Sequence, residues 1–148
     1  MEQKTGTAQT GFIIKVLLLS LYSTIGVLFF ISWQVSQNSE PIEGANIDVF
    51  FIIAGMMAAK SFVFPMILMP KGQNKVGSQR KMTAAKLFVP SVISFSMSES
   101  VAVMGFVSTQ QTADFNTFLP FGIASFFLLT IHGVTVLNKL GAIQRNRF

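Results

Sequence analysis

At 148 residues the chain has the length of one ordinary domain, but 51% of it is hydrophobic and only 11% charged, with a mean hydropathy of +0.57. Soluble domains carry about 25% charged residues, so a soluble domain is excluded, and the absence of cysteine removes disulfide frameworks, thiol catalysis and cysteine-ligated metals together. The formal net charge of +5 would suit an anionic partner such as nucleic acid in a soluble protein; its placement along this chain has a simpler explanation.

The chain opens on a short polar stretch, Met1 to Thr10, read as a disordered tail. Residues 11–33 then form an apolar run long enough to cross a hydrocarbon core of about 30 Å. Lys15 stands near its start, where its stem can reach the headgroups, and Trp33 at its far end suits an interfacial anchor. The run is longer than the apolar region of a cleavable signal and no small-residue cleavage site follows, so a retained helix is expected. Residues 34–46 read as a loop by their Pro, Gly, Ser and Asn content, with Glu40 and Glu43 as the only charges.

The second span, 47–69, starts with Asp48 in its first turn, where a carboxylate complements the helix dipole. It carries Lys60 near its middle and Pro65 in its last turns, which should kink it. Residues 70–82 hold Lys71, Lys75, Arg80 and Lys81 and no acid. The third span, 83–107, contains Pro90 in its first third and Glu99 beyond its centre. A short polar connection with Asp114 leads to the fourth span, 117–138, with Pro120 in its first turn, where proline costs little, and His132 about two turns from its end. The tail adds Lys139, Arg145 and Arg147. Lys and Arg thus crowd the termini and the 70–82 loop and are absent from the other two loops, so the termini are expected on the cytoplasmic side. The expected architecture is all-α: a single membrane domain of four transmembrane helices, N-in and C-in, in the inner (plasma) membrane of a bacterium or its equivalent. The same topology explains the basic loop without nucleic acid.

At 100° per residue, Ser91, Ser94, Ser98, Ala102 and Gly105 share one narrow stripe of the third span, the small-residue surface on which membrane helices pack. On the adjoining face Phe88, Val92, Phe95, Glu99, Val103 and Phe106 line up. A carboxylate at membrane depth is costly as a bare charge and is a functional-site hypothesis that needs a partner. Lys60 is one partner, neutralising Glu99 across the hairpin; alternatively Lys60 reaches for the headgroups and Glu99 stays protonated. Ser98 and His132 are further candidate partners, although a lone membrane histidine also suits a hydrogen-bonded packing role. The second span presents Ala54, Gly55 and Ala58 as a small face. The fourth presents Gly122, Ser125, Leu129, His132 and Val136 at the alternating spacing of a packing seam.

There is no phosphate-binding glycine loop, no H-E-x-x-H and no nucleophile with a histidine and an acid at matching depth. One histidine without cysteine does not make an ordinary zinc site. No cofactor, no metal and no enzymatic activity are expected.

The run Glu99-Ser100-Val101-Ala102-Val103-Met104-Gly105-Phe106-Val107 resembles the ion-binding helix of the ATP synthase c subunit, the proteolipid. There a carboxylate is followed by small and aliphatic residues and by a glycine six positions on. That helix likewise belongs to a hairpin closed by a polar cytoplasmic loop. The resemblance implies a proton-binding role for Glu99 alone, because the chain lacks the family's glycine repeat and its Arg-Gln-Pro loop and has two extra spans, so it is no ordinary rotor subunit. The functional expectation is a non-enzymatic membrane protein that binds a proton or cation at Glu99, in an oligomer or with other membrane subunits. The alternative is a structural or accessory subunit in which Glu99 and Lys60 only fix helix packing.

Overall fold

A computed structural model describes residues 2–44, 46–68 and 84–145. They form four helices: α1 (Glu2–Asn38), α2 (Ile47–Leu68), α3 (Ala84–Thr112) and α4 (Phe118–Arg145), with a 3-10 turn at Phe115–Thr117 before α4. All four are long and apolar enough to cross a membrane, over Gln9–Asn38, Ile47–Leu68, Lys86–Thr112 and Phe115–Ile143. Helices are the natural outcome of such runs, since in lipid each backbone N–H and C=O must find its partner inside the same segment. Large apolar side chains such as Phe12, Leu19, Ile52, Met66, Ile67 and Phe127 face outward, as a surface solvated by acyl chains requires.

The helices extend past the apolar runs. The expected disordered tail is helical from Glu2, α1 continues through the polar stretch to Asn38, and α3 continues to Thr112 through residues expected in the connection. A helix already nucleated by twenty apolar residues adds each further residue with one more hydrogen bond. The polar side chains at its end supply extra ones: Ser36 Oγ donates to the Trp33 carbonyl and Asn38 Nδ2 to that of Gln34. The basic stretch 70–82 lies outside the described residues.

The helix α3 is central, packing against each of the other three, with its most extensive contact against α4. In the most apolar stretches of α3 and α4, 44% and 39% of residues are buried, against 11% in α1 and in α2. The α3–α4 pair is therefore the core and α1 and α2 are its flanks. One apolar cluster joins Ile14 and Ile25 of α1 to Leu87, Phe95 and Ala102 of α3 and Leu129 and Val136 of α4. A second joins Ala54 of α2 to Val101 of α3 and Phe121 and Leu128 of α4.

Small residues set the approach of these helices. A Cβ added to Gly105 would lie 2.5 Å from Phe121 Cβ, and one added to Gly133 would lie 2.9 Å from Leu18 Cδ2, so α4 meets α3 and α1 where side chains are missing. At its C-terminal end α3 stops in a left-handed residue, Ala113 (φ 51°), whose N–H donates to the Thr109 carbonyl at 2.8 Å. Asp114 Oδ1 then accepts from the Asn116 backbone N–H at 2.9 Å and caps the 3-10 turn. The α1–α2 loop is tied to the same end, where Ile42 N–H donates to the Gln111 carbonyl at 2.8 Å.

Candidate functional site

Glu99 lies thirteen residues from either end of the Lys86–Thr112 span and so at its centre, not beyond it. The longer extent of α3 makes the difference. By the rise of an α-helix, the carboxylate stands about 20 Å from both ends. On its inner side are Phe95 and Ala102, both 0% exposed; on its outer side are exposed Ser96 and Val103. Glu99 itself is half-buried, on the rim of the α1–α3 contact.

The structure does not bring Glu99 together with any of the three side chains named as partners. Among the described residues neither Glu99 nor Lys60 has a hydrogen-bond or ion-pair partner. The buried seam of α2 is Ala54, Ser61 and Pro65, and Lys60 points about 100° away from Ser61, leaving it exposed on the flank of the bundle. Gly55 is exposed for the same reason and has no atom within 4 Å of an added Cβ, so among the described residues its open face packs against nothing. Ser98 is 0% exposed. Its hydroxyl donates to the Ser94 carbonyl at 2.8 Å and its own carbonyl accepts from Ser125 Oγ at 2.6 Å; it belongs to the α3–α4 contact.

His132 is 7% exposed and meets α2 instead of Glu99: its Nε2 lies 3.0 Å from Ser61 Oγ. Ser61 Oγ donates its one proton to the Ala58 carbonyl at 2.7 Å, so Nε2 is the donor toward it. The Phe62 ring covers the imidazole at 4.7 Å. Ser61 is the polar residue that sequence reasoning missed. It falls seven residues after Ala54 on the same small face, but its role depends on the register of α2 against α4, which no local pattern encodes.

The α3 stripe is buried. Ser91 and Ser94 return their hydroxyls to the Leu87 and Pro90 carbonyls at 2.5 and 2.9 Å, Ala102 is 0% exposed, and Gly105 and Gly122 lie against Phe118 and Phe121. Serine hydroxyls spent in this way cost little in an apolar interior and keep the side chain slim. Tyr22 and Thr130 join α1 to α4 through their hydroxyls at 2.7 Å. Ser32 Oγ is the one buried side-chain polar atom without a partner among the described residues. No three His, Cys, Asp or Glu side chains gather among those residues as a metal centre would need.

A carboxylate at the middle of a membrane-length helix, without a side-chain partner among the described residues, is thus the feature left unexplained by packing. No family model, curated protein or solved structure matches the chain. The geometry therefore stands alone as the basis of a functional reading.

Proposed function

We propose that this is a small, non-enzymatic integral membrane protein that binds a proton or a cation through Glu99 and works as part of an oligomer or a larger membrane complex. The observation that carries the reading is the position of Glu99: the middle of a helix long and apolar enough to cross a membrane, half-buried, with no donor or cation among the described residues. A carboxylate left bare at that depth is strongly disfavoured, so it takes up a proton, a cation or a group from outside the chain. The local resemblance of Glu99–Val107 to the proteolipid ion-binding helix favours the same role. The charge pattern supports termini on the cytoplasmic side of a bacterial inner membrane, with lipid covering the outward apolar side chains.

The structural alternative, in which the chain only packs other subunits together, draws on the satisfied hydroxyls of the α3–α4 contact. It leaves Glu99 without a role, since the contacts that hold the helices together do not include it.

The test is modification of the purified protein by a hydrophobic carbodiimide, which reacts with the protonated acid, across a pH series. Labelling at Glu99 that falls as pH rises, and that is absent from Glu99→Gln, is the expected result. A Glu99 that resists labelling at every pH, with proton flux unchanged in E99Q vesicles, would sink the ion-binding reading.

A further inference from the structure

Glu99 and Lys60 share one face of the bundle. By helical angle, Glu99 sits on the side of α3 that adjoins Phe95 and Ala102 and therefore α1, whereas Val101 and Met104 on the opposite side of α3 pack with α2. Between these two sides α3 has an outward strip, in which Val89, Ser96, Val103 and Gln110 are exposed at intervals of seven residues. Lys60 projects from the side of α2 turned away from α4, since Phe51 and Phe62, on the other side of the α2 seam, are the rings that meet Phe121 and His132. The strip is thus flanked by a cation on its α2 edge and an anion on its α1 edge.

Their depths are compatible. The Ser61–His132 contact fixes the level of Lys60 against α4, and the Ser125–Ser98 bond fixes that of Glu99. Seven residues of α4 separate the two levels, about 10 Å. Side chains lean toward the N-terminus of their own helix, and α2 and α3 run in opposite directions, so the lysine stem leans toward the level of Glu99 and the glutamate toward that of Lys60. The sideways separation across the α3 strip keeps them apart within one chain.

We infer that the missing partner is a second copy of this chain, docked strip to strip along α3, with Lys60 of each copy paired to Glu99 of the other. Two copies inserted in the same sense are related by a two-fold axis along the membrane normal. Rotation about an axis through the strip exchanges its edges and sets each cation against an anion. The strip suits close approach, because Ser96 and Ser100 are small and one turn apart, and the Ser100 hydroxyl is already returned to the Ser96 carbonyl at 2.8 Å. The inference rests on the reading that Glu99 is neutralised from outside its own chain, and it names the cation.

The protein in its membrane tests this directly, since the 148-residue chain has no cysteine to compete with an introduced one. Under mild oxidation Ser96→Cys and Val103→Cys should give disulfide dimers, and Phe127→Cys, exposed on α4 at a depth similar to that of Ser96, should not. Differently tagged E99K and K60E copies expressed together should form mixed dimers in about tenfold excess over same-variant dimers, because unlike copies restore both ion pairs and like copies repel. Equal cross-linking at positions 96 and 127, or E99K and K60E copies that pair at random, would overturn the inference. If E99K fails to insert, the charge contribution is read from S96C/E99Q, whose cross-linking should drop below that of S96C; an unchanged yield would count against the ion pair. Carbodiimide labelling without cross-linking would sink this pairing alone, and cross-linking without labelling would sink proton binding alone.

Discussion

The inner and outer sides of α3 treat polar groups in opposite ways. Facing α4 and α2, the hydroxyls of Ser91, Ser94, Ser98, Ser125 and Ser61 and the imidazole of His132 all have partners within the chain. Facing outward, Glu99 has none among the described residues, although it carries the greater electrostatic liability. The inner side is built as structure: slim polar residues allow close approach, and their hydrogen bonds close locally or across one interface. The outer side carries a charge that the packing of the described residues does not use, which is the contrast on which the proposed role of Glu99 rests.

Substitutions can break or sharpen this contrast. The largest loss should come from Gly105→Leu, which drives a side chain into Phe121 and Phe118 and forces α3 from α4; about 3 kcal/mol of stability is expected to disappear in denaturant unfolding of the detergent-solubilised protein. Next, His132→Ala removes the donor to Ser61 and the ring packed at a tilt against Phe62, and heat denaturation should report a loss of about 2 kcal/mol. Ser125→Ala gives up only the bond to the Ser98 carbonyl, an expected loss of about 1 kcal/mol. Ser32→Ala, by contrast, should cost nothing in the same assay, because that hydroxyl has no bond to lose. Glu99→Gln should likewise leave stability nearly unchanged, within about 0.5 kcal/mol for dispersed single chains, although it should abolish carbodiimide labelling. A large loss there would place Glu99 among the structural groups and erase the contrast.

Much of the fold is written in the hydropathy of the chain. Four apolar runs of twenty or more residues, separated by Pro, Gly and polar segments, give four helices with little room for alternatives. Their ends are less legible, because residues such as Gln34–Asn38 and Ser108–Thr112 join a helix through continuity of hydrogen bonding and not through any hydrophobic signal. At the candidate site, the place of Glu99 inside an apolar run could be read, but not its central position, which depends on how far α3 extends. Its isolation could not: whether Lys60 turns toward it depends on which edge of α2 packs on α3, and small residues occur on both edges, Ala54 and Ala58 on one and Gly55 and Ala59 on the other. The Ser61–His132 contact was hidden for the same reason, being a matter of register between helices seventy residues apart.

The central position of α3 also has a consequence for how the chain is made. During synthesis α1 and α2 leave the ribosome first, yet each packs mainly on α3, α1 on α4 as well, and not on the other. The first hairpin therefore enters the bilayer with its packing surfaces unmatched, Ser61 among them, and waits there for a third span that itself bears a carboxylate. Assembly of the bundle is thereby deferred until the second half of the chain has been inserted.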